Sequence, residues 1–391
     1  MNWIAATLVL LGQAAPDQKR IDEAIKRGVE FLKGAGSPSA YDPSDAWHVP
    51  DSDELILLTL VHGDVEEADP AFQKYLKRAL QEPLHKNYKV CLQAMALEEI
   101  DRVTYQGRIA QCAQHLVDNI CQNGQWGYGA PTPAQKGVAT GDARKGVSTS
   151  GVKQYGSGDQ KFKPEVTRKI PVSQTRFGGE SGDNSNSQYA ALGLRACHDS
   201  GIVIPRTTVA LARKWWESAI QMDKDRDAKV ATGAGVSAPP GGWGYRLAHN
   251  KEPYASMTAG ATGALVIYDY ILEKDWKKDP LVNAGLSWMA AHYSVDENTG
   301  GPSHGGKGPK GWLYYYLYAL ERLGILYDTA KIGGHDWYAE GAADLLAAQK
   351  PNGSWDVSHY KQPVWDTCFA ILFLKKATRP LVPSEDRVRK R

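Results

Sequence analysis

Carboxylates, amides and phenols recur where apolar helices are expected to begin. They are Asp51, Asp53 and Glu54; Asp183, Asn184, Asn186, Gln188 and Tyr189; Tyr254, Ser256 and Thr258; Trp312, Tyr314 and Tyr315; and Trp365, Asp366 and Thr367. A carboxylate among apolar groups or other carboxylates holds its proton to higher pH, so it can act as an acid. Asp51, Asp53, Asp183 and Asp366 are therefore the candidate catalytic acids. Glu54, Asn184, Asn186, Gln188, Tyr189, Tyr254, Ser256, Trp312, Tyr314, Tyr315 and Trp365 are the candidate ligand-binding residues. A plainer reading stands beside this one: Asp51, Asp183, Ser256 and Asp366 are ordinary N-cap types, worth about 1 kcal/mol each. Asn184-Ser-Asn-Ser-Gln188 exceeds a single cap, since two or three amides cannot all satisfy one helix end. Tyr314, Tyr315, Tyr316 and Tyr318 spread phenols around a helix, so at least one points inward. Such a lining suits an elongated apolar or cation-like ligand, through stacking and cation–π attraction.

These residues are positioned by a repeat. Six times, a polar amphipathic helix precedes a more apolar one. The outer segments run from about Gln18 to Gly34, Pro70 to Glu82, Tyr105 to Cys121, Arg206 to Met222, Pro280 to Tyr293 and Trp337 to Gln349. Their apolar residues fall at spacings of three and four, as in Ile21, Ile25, Val29 and Leu32. The inner segments run from about Asp51 to Val61, Tyr88 to Glu98, Asn186 to Ser200, Ser256 to Leu272, Trp312 to Leu323 and Trp365 to Lys375. They are apolar on most sides, as in Phe369-Ala-Ile-Leu-Phe-Leu374, which suits helices packed on both faces. No such pair buries its apolar face alone, so the pairs must stack or close. Six around six predicts an all-α fold, a single α6/α6 barrel over residues 18–378; an open helical solenoid uses the same units. All inner helices then start at one end, where unpaired N–H groups and positive dipole ends make a polar rim.

Several joints carry Gly-x-Trp: Gln122-Asn-Gly-Gln-Trp126-Gly-Tyr128, Gly241-Gly-Trp243-Gly-Tyr245 and Gln349-Lys-Pro-Asn-Gly-Ser-Trp355-Asp356. A glycine-rich turn lets the indole lie against neighbouring helix ends while its N–H finds an acceptor, so Trp126, Trp243 and Trp355 are expected as staples. With Ala343-Asp-Leu-Leu-Ala-Ala-Gln349 and Ala113-Gln-His-Leu leading into two of these turns, the pattern resembles the repeat of squalene cyclases, other terpene cyclases and protein prenyltransferase β-subunits. That resemblance spans almost the whole chain after residue 18 and implies an α/α toroid, while leaving activity open. The acidic Asp-x-Asp-Asp motif of squalene cyclases has no faithful copy; Asp51-Ser-Asp-Glu54 and Asp223-Lys-Asp-Arg-Asp227 come nearest. Asp366-Thr-Cys368 matches half of the prenyltransferase zinc set, but no His follows it, so neither metal nor cofactor is expected.

The 391 residues, 42% of them hydrophobic with 12 Trp and 19 Tyr, fit one large domain and argue against disorder. A net charge of +2, with no zinc-finger spacing, basic helix or phosphate loop, gives no reason to expect a nucleic-acid partner. Residues 127–182 interrupt the third pair with a Gly-, Ser- and Lys-rich insertion. From Ala130 to Gly178 its basic residues are Lys136, Arg144, Lys145, Lys153, Lys161, Lys163, Arg168, Lys169 and Arg176, against acidic Asp142, Asp159 and Glu165. A positive flap over the mouth would favour an anionic glycan or surface; a solvated loop has the same composition. Residues 1–14 read as a secretory signal, since Trp3-Ile-Ala-Ala-Thr-Leu-Val-Leu-Leu11 is too short to span a membrane and small residues follow it; a packed N-terminal helix is the alternative. The mature chain is expected to be exported, with no transmembrane segment and a polar tail at 379–391. Cys91, Cys112, Cys121, Cys197 and Cys368 fall on helices, where thiols serve as small apolar groups, so no disulfide framework is expected.

Three functional classes follow. One is an exported relative of the terpene cyclases that holds an isoprenoid or other elongated apolar molecule in its lumen. Another is a barrel acting on acidic polysaccharides, with Asp51 or Asp183 paired as acid and base. The third is a protein-binding scaffold without catalysis.

Overall fold

The computed structural model describes residues 17–34, 53–81, 83–132, 166–223, 229–246, 252–301, 310–356 and 363–381. Among them, outer and inner helices alternate along the chain. The outer ones are α1 (Gln18–Gly34), α3 (Pro70–Gln81), α5 (Gln106–Asp118), α7 (Arg206–Ala219), α9 (Pro280–Ala291) and α11 (Trp337–Ala348). The inner ones are α2 (Asp53–His62), α4 (Asn87–Asp101), α6 (Asn184–Asp199), α8 (Ala255–Ile271), α10 (Leu313–Tyr327) and α12 (Pro363–Leu374). Each inner helix packs on the next, and α12 packs back on α2, so the inner ring shuts and the open solenoid does not form. Among the described residues six two-residue strands occur, paired two by two between connector segments.

Outer and inner helices differ as their sequences require. On α1, Ile21, Ala24, Ile25, Gly28, Val29 and Leu32 are buried at three-four spacing, and charges cover the other face. On α2, every residue from Asp53 to Val61 is buried. Gly28 lets the last helix pair meet the first: a Cβ there would stand 2.9 Å from both Ile371 Cδ1 and Trp355 Cζ3.

The tryptophan turns are staples of one design. Trp126, Trp243 and Trp355 are fully buried. Each indole N–H donates at 2.8 Å to a carbonyl of the preceding outer helix, Leu116, Trp216 and Leu345 respectively. Each tryptophan backbone N–H donates to a hydroxyl on the following inner helix, Ser187 at 3.0 Å, Thr258 at 3.1 Å and Thr367 at 3.0 Å. The turn thus clamps an outer helix to its inner partner from both sides of one residue.

The described legs of the insertion lie along the outside of the ring. Thr175 donates its N–H and hydroxyl to Asp118 Oδ1 at 2.7 and 2.9 Å, and Gln106 Nε2 donates to the Arg168 carbonyl at 2.7 Å, both on α5. The strand Ile170–Pro171 pairs in parallel with Ile202–Val203 beyond the end of α6. Arg176 is spent on the carbonyls of Ala130 and Pro131, each at 3.2 Å. The remainder of the insertion, residues 133–165, lies outside the described residues, as do Asp51 and residues 1–14, where a secretory signal is expected. The five cysteines are free and buried.

Candidate functional site

The starts of the inner helices share one end of the ring, and side chains from α4, α6, α10 and α12 meet there. At the outermost level the indoles of Trp312 and Trp365, both half-buried, stack with centroids 6.5 Å apart and planes 15° from parallel. Below them lies a layer of hydroxyls. Tyr88 on α4 and Ser185 on α6 touch through their hydroxyls, Ser185 Oγ is 3.0 Å from the Tyr315 hydroxyl on α10, and the Tyr88 and Tyr315 hydroxyls are 3.4 Å apart. α4 and α10 are diametrically opposite in the ring, so this layer crosses the lumen.

One level deeper, an arginine fixes the direction of the hydrogen bonds. Arg322 Nη2 donates to Gln188 Oε1 at 2.9 Å, and Gln188 Nε2 donates to the Tyr315 oxygen at 2.8 Å. A guanidinium can only donate, so the amide is oriented without ambiguity. The Arg322 guanidinium lies over the rings of Tyr318, 4.3 Å from its centroid, and Tyr189, 5.3 Å away. Its residue exposure is 3%, and Nη1 has no hydrogen-bond partner; neither has the neighbouring Tyr189 hydroxyl. Burial opposes the charge on Arg322, but the nearby phenols and Glu321 outweigh it and hold its pKa above the ordinary guanidinium value. Burial likewise pushes the phenols of Tyr88, Tyr189 and Tyr315 up, so they remain neutral O–H donors.

Apolar side chains at this depth keep a little exposed surface. Leu92 on α4 and Leu192 on α6 keep 7% and 6% of their surface, Phe369 on α12 keeps 8%, and Met95, two helical turns below Tyr88, is only half-buried. The stripe Tyr88, Leu92, Met95, Glu99 follows helical spacing along one face of α4. Its far end is stoppered by the chain after α12. Arg379 pairs with Glu99 at 3.3 Å, Thr378 donates its N–H and hydroxyl to the Glu321 carboxylate at 3.0 and 2.7 Å, and Arg195 Nη2 donates to the Pro380 carbonyl at 3.1 Å. The interior of the ring thus carries, from the inner-helix N-terminal end inward, an aromatic pair, a layer of hydroxyls, a buried guanidinium and a stripe of apolar side chains, with the chain at 378–380 crossing the far end.

The candidate residues divide around this interior. Gln188, Tyr189, Tyr315, Trp312 and Trp365 face it or its mouth. Asp183 lies at the rim, 1% exposed, accepting from the Asn186 N–H at 2.8 Å and side-chain amide at 2.9 Å; burial raises its pKa despite those bonds. The phenols of Tyr88, Tyr128, Tyr245 and Tyr254 are near enough to feel its charge, as is Arg246.

Others turn away from it. Asp53 pairs with Arg78 of α3 at 3.2 Å, and Glu54 with Lys89 of α4 at 3.7 Å, so both carboxylates serve contacts between helices rather than the lumen. Asn184 is engaged by Gln125 and Trp215, which donate to its Oδ1, and by the Gly244 carbonyl, which accepts from its Nδ2. Ser256 is not the cap of α8: its own N–H is received by Asn298 Oδ1 at 2.9 Å, from another loop. Asp366 lies inside α12, three residues past its start at Pro363, and raises the pKa of buried Tyr314, which also feels Asp344 of α11. Tyr314 and Asp366 therefore belong to the outer side. Among the described residues no group of three His, Cys, Asp or Glu is arranged to hold a metal, and no helix is long and apolar enough to cross a membrane.

Sequence reasoning missed Tyr88, Ser185, Phe369, Met95 and Arg322. The stripe itself was the available signal, since Tyr315, Tyr318 and Arg322 follow at three, then four.

No family model matches the chain, and no curated protein matches it. Among solved structures it is similar to type II terpene cyclase MstE from Scytonema in complex with its product merosterolic acid A, at 12% identity and a TM-score of 0.34, over 93% of this chain and 98% of that one. An MstE structure holding its substrate geranylgeranyl dihydroxybenzoate gives 11% identity and 0.33, over 93% and 98%. A possible member of the GH105 family from Salmonella enterica serovar Paratyphi A gives 10% identity and 0.49, over 96% and 98%. These are α/α-toroid folds, the architecture that the closed ring of inner helices shows directly in this chain.

Proposed function

We propose that this protein takes an elongated, largely apolar molecule into a chamber inside the ring from the inner-helix N-terminal end and holds it there. The observation that carries this is the apolar stripe behind an aromatic mouth: Leu92, Leu192 and Phe369 keep 6–8% of their surface and Met95 is half-buried, inside a ring whose far end the chain at 378–380 crosses. Apolar walls of this kind gain by exchanging water for hydrocarbon, roughly 25 cal/mol for each Å² covered. An isoprenoid is one such molecule. Asp183 is the acid this reading assigns to proton donation, because burial at the rim raises its pKa and so favours the protonated form. The chain works outside the cytoplasm in this reading, on the strength of residues 1–14; N-terminal sequencing of protein from its own host tests that, with a start near residue 15 expected and an intact Met1 against it.

Titration with 1-dodecanol followed by tryptophan fluorescence tests the chamber. Saturable one-to-one binding that Met95→Trp abolishes is the expected result, and absence of binding overturns the reading. The half-buried parallel pair Trp312 and Trp365 is also a surface on which a sugar ring could stack, which favours the acidic-glycan reading second. Binding of a galacturonate oligomer that Trp365→Ala removes, with none of dodecanol, would place that reading first.

A further inference from the structure

We infer that Arg322 and Tyr189 form a recognition point for a single carboxylate on the molecule that enters the chamber. The inference rests on the chamber reading above and adds the chemistry of the ligand's head. A buried guanidinium is costly unless it meets an anion or a full set of acceptors. Arg322 has neither: among the described residues no carboxylate pairs with it, and Nη1 is left without an acceptor while Nη2 is held by Gln188. Its sequence neighbour Glu321 is turned to Thr378 in the stopper. The Tyr189 hydroxyl, on the ring that lies 5.3 Å from the guanidinium, is also buried and also unpartnered. A buried cationic N–H and a buried phenol close to one another, neither with a hydrogen-bond partner, define a place for anionic oxygen.

The head must be small, flat and singly charged. Rings of Tyr318 and Tyr189 flank the guanidinium at 4.3 and 5.3 Å, leaving approach along its edge, where a carboxylate can take one oxygen to Nη1 and the other to the phenol. One cation balances one carboxylate; a phosphate dianion would leave a charge uncompensated in the same apolar surroundings. Entry requires the hydroxyls of Tyr88, Ser185 and Tyr315 to part. Behind them the tail meets Leu92, Met95, Leu192 and Phe369, so the ligand class is a carboxylic acid with an apolar body.

The test compares dodecanoate, 1-dodecanol and dodecyl phosphate at neutral pH, each below its micellar concentration, on the intact protein and on Arg322→Gln and Tyr189→Phe. Dodecanoate is expected to bind about tenfold or more tightly than dodecanol. Arg322→Gln should erase that preference, so that dodecanoate and dodecanol bind with equal affinity, and Tyr189→Phe, which removes one oxygen and keeps the packing, should reduce the preference several-fold. Equal affinity for acid and alcohol, or a preference that survives Arg322→Gln, overturns the carboxylate site and leaves the chamber standing. Tighter binding of dodecyl phosphate than dodecanoate overturns the choice of carboxylate. No binding of any of the three overturns both. A crystal structure with dodecanoate in which only water bridges Nη1 and the Tyr189 hydroxyl also counts against the site.

Discussion

Gln188 Nε2 donates to the Tyr315 hydroxyl at 2.8 Å, a bond that joins α6 to α10 and passes over the intervening α8. It is possible because α8 offers Gly260 at that level: a Cβ there would stand 2.1 Å from Gln188 Oε1. The polar column of the lumen therefore depends on a missing methyl group on a third helix. Gly260→Ala should push the Gln188 amide off Arg322, cost about 1–3 kcal/mol by overpacking, and weaken dodecanol and dodecanoate binding together. Urea denaturation with parallel titrations checks this; a fully stable variant with unchanged binding would show that the column is not packed as described.

Asp53 and Arg78 make the opposite case, a candidate acid spent on structure. The Asp53 side chain is 5% exposed and Arg78 42%, so water screens their 3.2 Å contact. Asp53→Asn should lower stability by no more than about 1 kcal/mol and leave ligand affinity untouched. A loss of binding without a loss of stability would return Asp53 to the site.

The tryptophan staples predict equal penalties at distant places. Trp355→Phe removes the indole bond to the Leu345 carbonyl, and Trp126→Phe removes the one to Leu116, whose carbonyl keeps only a longer bond from the Asn119 N–H at 3.3 Å. Each should cost about 1–3 kcal/mol in denaturant unfolding without changing ligand selectivity.

Glu321 gives the stopper a pH dependence. Burial pushes its carboxyl up to about 7, against the pull of the Thr378 hydrogen bonds, Arg322 and Lys376. The unfolded chain releases this proton near the ordinary glutamate value, so the folded state binds the proton more tightly. Its contribution to stability is fully present below about pH 4.5 and is lost as pH rises through about 7, a change on the order of 1–3 kcal/mol. Glu321→Gln keeps acceptor and donor for Thr378 but cannot titrate, so its melting temperature should exceed that of the parent above pH 7 and lack this step. A parent and variant that melt in parallel from pH 4 to 8 would contradict it.

The ring was legible in the sequence because its cause is repeated. Three-four apolar spacing marked α1, continuous apolar runs marked α2 and α12, and Gly-x-Trp marked where outer helices turn inward. What each helix start does was not legible, because adjacent residues point in different directions. Tyr314 and Tyr315 are one residue apart, yet the first packs outward near Asp366 and the second bonds to Gln188 across the lumen. Asp183 and Asp366 are both carboxylates near helix starts; only the first caps its helix and meets the rim phenols. Arg322 was hidden for a different reason. A lone arginine inside Leu-Glu-Arg-Leu reads as a charge at the solvent face of a helix until α10 is known to be buried all round.

The central claim, that the ligand occupies the ring's interior, is tested most directly by photolabelling with a diazirine-bearing alkyl alcohol and mapping the modified peptides. Adducts on the lumen stripes of α4 and α12, around Leu92, Met95 and Phe369, are predicted, and excess 1-dodecanol should compete them away. Adducts confined to the outer helices, or label on the inner stripes that no competitor displaces, would contradict the account.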